Sequence, residues 1–306
     1  MPCFSTRRLV LIGIATIAVC VIPINASAAL ADLFESDNNS GNIFQFTPAG
    51  AQSTFASGLN HPSGLGFDSA GNLLEADNNS GIIFEFTPAG LQSTFATGLN
   101  HPAGLVFSAA GDLFAADSNS GSIFEFTPAG VRSTFATGLN HPTGLVFDAA
   151  GFLFVAETNN GSILKFTAGG AQSTFASGLS APYGLAFDSA GNLYESDNLS
   201  GTIFRFTPGG VQSTFATGLN HPRGLVFDST GNLFVADGNS GSILEFTPGG
   251  VESVFATGLS LPDFLAFNVA PVPELEPCAI ASAFLTFAVA IEQVRSRRRR
   301  IIQKSK

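Results

Sequence analysis

Between Pro62 and Asn100 the chain alternates short apolar runs with short polar connectors. The runs are Gly64 to Asp68, Leu73 to Asp77, Ile82 to Phe86 and Gln92 to Thr97. Ser69-Ala70-Gly71-Asn72, Asn78-Asn79-Ser80-Gly81 and Thr87-Pro88-Ala89-Gly90 separate them, and each connector is built from residues that favour tight turns. Ile82, Phe84 and Phe86 alternate with Ile83 and Glu85, the two-residue period of a strand. No stretch has helical spacing. The spacing therefore predicts four strands of about five or six residues, joined by four turns, in each such unit.

The unit returns about every forty residues. Gly71-Asn72-Leu73, Gly111-Asp112-Leu113, Gly151-Phe152-Leu153, Gly191-Asn192-Leu193 and Gly231-Asn232-Leu233 open successive copies. A repeat of this length buries its apolar faces only against neighbouring copies. The array begins at Asp32-Leu33-Phe34, which matches the second strand of later copies, and ends after a lone first strand, Phe264 to Phe267. Residues 32–60 thus lack one strand and residues 262–270 supply it. Sharing a sheet between the two ends would close a ring and leave no exposed sheet edge at the seam. The expected fold is all-β, a six-bladed β-propeller of four-stranded blades spanning 29–270.

Composition narrows the function. Apolar residues make up 45% of the chain, and the large core residue is Phe, with 31 copies and no Trp. Between Ala29 and Val272 four basic residues face twenty acidic ones, a formal charge of −16. A domain this acidic repels phosphate backbones, so nucleic acid is excluded as a partner. The repeats contain no Cys, so neither disulfides nor a thiolate metal site are available to them.

Both ends carry sorting signals. Arg7 and Arg8, the apolar stretch Leu9 to Ile24 and Ala26-Ser27-Ala28 read as a secretory signal peptide, 1–28, cleaved after Ala28 or Ala29. Past Pro271-Val272-Pro273-Glu274, an apolar run from Cys278 to Ile291 precedes Arg295 and Arg297 to Arg300. This order over 271–306 resembles the PEP-CTERM sorting signal of exported bacterial proteins, although Leu275 stands third in its motif. The resemblance implies a transmembrane helix and processing near Pro273 and Glu274 by an exosortase-type protease. A membrane-anchored intermediate would then pass to the cell surface or beyond.

The phrase from His221 to Leu233, H-P-x-G-L-x-F-D-x-x-G-N-L, with Val235-Ala236-Asp237 after it, resembles the NHL repeat. That family forms six-bladed propellers, and the resemblance covers 32–270. The position before the third-strand Ile, often basic in the family, is Asn42, Ile82, Ser122, Ser162, Thr202 or Ser242 here.

Four sets of residues are candidates for chemistry. His61, His101, His141 and His221 lie in the connectors that lead to each inner strand. Around a channel mouth they would form a zinc ligand set, whereas as copies of one turn before Pro they would be structural. Asp37, Asp77, Asp117, Asp197 and Asp237 sit at strand ends and are expected to accept turn amides; they also faintly echo a calcium loop. Third-strand residues Glu125 with Lys165, and Arg205 with Glu245, are expected to pair across blade boundaries. Arg132 and Arg223 read as solvated outliers, and no acidic residue reads as singular, because nearly all recur by copy.

These readings make the chain an exported, non-catalytic binding or structural module with no resident cofactor. Its expected partners are extracellular polysaccharide or another exported protein, with the sorting machinery and the membrane engaged before processing. The alternative is a metal-dependent lactonase or lyase working at the channel mouth.

Overall fold

The computed structural model describes residues 31–268. The expected signal peptide, with Ala28, and the expected sorting segment, with Pro273 and Glu274, lie outside the described residues. Among the described residues, no helix is long and apolar enough to cross a membrane.

The apolar runs form strands as the alternation predicts. In the second copy they are Pro62–Phe67, Leu73–Asp77, Ile82–Phe86 and Gln92–Ala96, each antiparallel to the next. Six such four-stranded sheets are present among the described residues. We number them as blades 1 to 6 in the order in which their second strands occur in the chain. Blade 1 is the shared one: its inner strand, Pro262–Phe267, pairs with Leu33–Asp37, placing Leu33 opposite Phe267 and Phe34 opposite Ala266. Asp32 and Asn268 extend the seam, with Asn268 N–H donating to the Asp32 carbonyl at 3.1 Å and Asp32 N–H donating to Asn268 Oδ1 at 2.8 Å.

The core lies between blades. The last residue of every third strand (Phe46, Phe86, Phe126, Phe166, Phe206 and Phe246) is fully buried. Each meets, edge to face, a fourth-strand Phe of the preceding blade, as Phe86 meets Phe55 at 5.8 Å. Burying a Phe contributes about 1.5–3 kcal/mol, and an aromatic pair about 0.5–1.5 kcal/mol more, so this hexad is a large share of what joins the blades.

The inner strands carry the feature that shapes the centre. Pairing of inner and second strands slips between Pro62 and Leu65, a bulge at Ser63-Gly64, and the same slip recurs in the other five blades, as at Pro222 and Leu225. A bulge re-aims the side chain that precedes it. Its Gly is required by close approach: a Cβ on Gly64 would collide with the carbonyl oxygen of Ala103 in the next blade. Inner strands thus touch one another around the axis, and the residue before each Gly (before Phe264 in blade 1, which has no Gly there) faces the channel mouth.

Candidate active site at the channel mouth

Six side chains occupy that position, one per blade: Asp263, Ser63, Ala103, Thr143, Tyr183 and Arg223 in blades 1 to 6. They line a depression of about 180 Å³ together with His101, His141, Asn38, Asn78, Ser118 and Asn119. The connectors into the inner strands and the second-to-third turns meet at this face, where the Asn78 and Asn79 amides donate to the His61 and Asn60 carbonyls at 3.2 Å.

One carboxylate organises the ring. Asp263, 1% exposed, accepts from Tyr183 Oη at 2.8 Å, Ser63 Oγ at 2.9 Å and Arg223 Nη1 at 3.2 Å. Burial, then the Asp263 charge, push the Tyr183 hydroxyl far above its ordinary pKa, so it remains a donor. Burial opposes the charge on Arg223, but Asp263 together with Tyr183 outweighs it and holds the guanidinium protonated. The side chain of Arg223 needs room, and Gly238 provides it. Blades 1, 2 and 5 carry Asn38, Asn78 and Asn198 at the matching place, where a side-chain amide donates to the next Pro carbonyl. A Cβ on Gly238 would stand 2.9 Å from Arg223 Nε.

These contacts correct two expectations. Arg223 is not a solvated outlier but the cation of a mostly buried pair, and Asp263 is a singular acidic residue with no copy in another blade. The sequence signal for both was the variable residue after the inner-strand Pro, the x of H-P-x-G-L for Arg223 and its counterpart in Leu261-Pro262-Asp263-Phe264-Leu265 for Asp263. Arg132 is exposed as expected, and its guanidinium lies 4.3 Å above the Phe124 ring.

The four histidines do not gather as a ligand set. All adopt left-handed backbone, with φ between 58° and 62°. His is among the non-glycine residues that tolerate this region best. His61 Nδ1 bonds Asn38 at 2.8 Å, and His221 Nδ1 bonds Asn239 at 2.8 Å. Only His101 and His141 line the depression. His101 Nδ1 bonds Asn119 at 2.8 Å, whereas His141 Nδ1 is buried without a partner. Burial and the neighbouring His101 lower the pKa of His141, so its ring is neutral near pH 7. Among the described residues no three His, Cys, Asp or Glu side chains converge as metal ligands. The strand-end aspartates are engaged too: Asp77 accepts Ser80 N–H at 3.2 Å, the expected turn bond, and also Asn60 N–H at 2.7 Å from the connector. Among the described residues, these side chains therefore do not fit a resident zinc or calcium ion.

The charge pairs across blade boundaries do not form. Lys165 reaches Asp148 of its own blade at 3.7 Å, because a third-strand residue lies beside its own first turn.

Three buried glutamates were not singled out by the sequence. Glu35, Glu75 and Glu195 are wholly buried with no hydrogen-bond partner. They stand behind Asp263, Ser63 and Tyr183, the three oxygen-bearing members of the network, while the other blades have Ala115, Val155 and Val235. Desolvation first, then the charge of the adjacent strand-end aspartate, raises each pKa well above 4.5, the ordinary value.

No protein-family model and no curated protein match the chain. Solved structures do. A chain of a nidogen/laminin complex aligns with a TM-score of 0.72 at 20% identity, covering 78% of this chain and 99% of that one. A catalytically inactive histidine-to-alanine variant of virginiamycin B lyase from Staphylococcus aureus, with quinupristin, aligns with a TM-score of 0.62 at 17% identity, covering 79% and 94%. A putative gluconolactonase aligns with a TM-score of 0.62 at 18% identity, covering 71% and 88%. At these identities the likeness shows the fold. The expectation of a non-catalytic module is corrected: the wheel is one that lyases also use, and the copied-turn argument behind that expectation overlooked a singular polar network at the mouth.

Proposed function

We propose that the protein is a propeller enzyme of the lyase or lactonase class, working by acid–base chemistry at the channel mouth. The observation that carries this reading is a single depression lined both by a neutral His141 whose Nδ1 has no partner and by the Asp263–Arg223–Tyr183 network, in which each member differs in kind from its counterparts in the other blades. His141 is the base. In lactone opening the His141 ring takes a proton from water, the water oxygen adds to the carbonyl carbon, and the lactone ring oxygen leaves with its electron pair and receives that proton back from His141. Arg223, held by Asp263 through one Nη, offers its other terminal N–H donors to the oxyanion. Tyr183 and Ser63 position Asp263 and take no part in proton transfer. A depression of about 180 Å³ admits the reacting group rather than a whole drug-sized ligand, for which about 300 Å³ or more is usual.

The test is a panel of lactones, together with ring opening of a streptogramin such as quinupristin. His141→Ala and Arg223→Met should each lower kcat/KM at least about 100-fold, while Lys165→Met, away from the mouth, leaves it unchanged. Full activity of His141→Ala, or no turnover of any member, overturns the reading. The NHL-like ancestry, export and C-terminal processing belong to the same proposal and rest on the sequence motifs.

A further inference from the structure

The clefts between blades open on the face opposite the mouth, and three of them show how one plan varies. The cleft between blades 1 and 2 measures about 400 Å³, that between blades 2 and 3 about 560 Å³, and that between blades 5 and 6 about 340 Å³. In five blades the cleft is divided by a second-strand ring: Phe34, Phe114, Phe154, Tyr194 or Phe234. Each touches two flanking Phe rings edge-on, as Phe154 touches Phe175 at 5.0 Å and Phe187 at 5.1 Å. Blade 2 has Leu74 instead, so Phe95 and Phe107 have no ring between them.

Blade 4 supplies its own occupant. The Lys165 ammonium lies 3.7 Å from Asp148, 4.0 Å from the Phe152 ring centre and 5.0 Å from that of Phe154. In blade 2 the counterpart of Asp148 is Asp68 and that of Lys165 is Glu85. A carboxylate thus replaces the cation, and two negative groups line the widest of the three clefts. The Asn72 amide bridges them at 2.9 and 3.3 Å but is neutral. Among the described residues, neither carboxylate forms an ion pair.

We propose that the cleft between blades 2 and 3 binds a small organic ammonium that carries an aromatic ring. The ring fills the space beside Leu74, between Phe95 and Phe107. The ammonium lies against Asp68 and Glu85, as the Lys165 ammonium lies against Asp148. Charge selects the ligand: the same body with a hydroxyl in place of the amine can donate one hydrogen bond but brings no positive charge to the two carboxylates. This site is independent of the chemistry at the mouth.

The probes are 2-phenylethylamine and its neutral analogue 2-phenylethanol, titrated calorimetrically into the protein at pH 7. The amine should bind at least about tenfold more tightly than the alcohol and weaken with added salt, as an ion pair over aromatic rings requires. Glu85→Lys copies blade 4, and Leu74→Phe restores the ring that four of the other blades carry as Phe and blade 5 as Tyr194. Each should lower amine binding at least tenfold with the melting temperature little changed. Should Glu85→Lys melt early, Glu85→Gln, which keeps shape and removes charge, should still weaken the amine and spare the alcohol. No saturable binding, equal binding of the two probes, or undiminished binding by Leu74→Phe and the Glu85 variant overturns the proposal.

Discussion

Ser63 Oγ and Asp263 Oδ2 lie 2.9 Å apart although 200 residues separate them in the chain. The bond joins blade 2 to the inner strand that completes blade 1, so the polar network at the mouth is also a clasp on the seam. Removing one partner of a buried charge pair costs about 3–5 kcal/mol, because the other charge is left uncompensated. Asp263→Ala should therefore destabilise the protein by about that much, whereas Ser63→Ala, which removes one neutral donor, should cost about 1 kcal/mol. Urea unfolding of the two variants decides between them; equal losses would show that Arg223 does not depend on Asp263.

The buried glutamates should make stability fall as pH rises. Each has a folded-state pKa above its unfolded value of about 4.5, so the folded protein binds more protons. Their contribution is complete below pH 4.5 and is lost as pH climbs toward the folded pKa, by about 1.4 kcal/mol per group per pH unit. Replacing Glu35, Glu75 and Glu195 together with Gln should flatten this slope between pH 5 and 8. Guanidinium melts at several pH values measure it, and an unchanged slope counts against the assignment.

Gly238→Asn installs the residue that blades 1, 2 and 5 use at this place. The new Cβ meets Arg223 Nε, so the guanidinium must leave Asp263 or the turn must shift. Overpacking of this kind costs about 1–3 kcal/mol. The variant should also lose activity at the mouth to nearly the extent of Arg223→Met. Retention of full activity would mean that Arg223 acts from another position.

The left-handed histidines separate conformation from chemistry. His221, at φ 61° and away from the mouth depression, should tolerate Gly with little change in melting temperature. His221→Val should cost about 1–2 kcal/mol, since a β-branched residue is strained there. Thermal melts compare them. Equal melting temperatures for the two would show that backbone conformation is not what selects His.

The alternation of Ile82, Phe84 and Phe86, and the turn residues around it, made the strands legible, and the offset start at Leu33 made the closed ring legible. The mouth was not, for a physical reason. Which residue of an inner strand faces the axis is set by a bulge, and a bulge changes the side-chain alternation without leaving a periodic trace. Arg223 therefore read as a solvated outlier, and Asp263 passed among acidic residues that recur by copy. The pairing of Lys165 was misjudged similarly: strand order places it beside Asp148, while counting along the ring suggested Glu125. The glutamates at 35, 75 and 195 were hidden because each lies inside a short run read as apolar, and only the stacking of blades on both faces of the second strand shows that it is buried.

The hydrogen bonds between Asp32 and Asn268 bring both chain exits out side by side, next to the first-to-second strand turns and so on the side away from His141. A tether joined through either exit would hold the wheel like a dish on a stalk. Its working surface would point outward, open to whatever diffuses past.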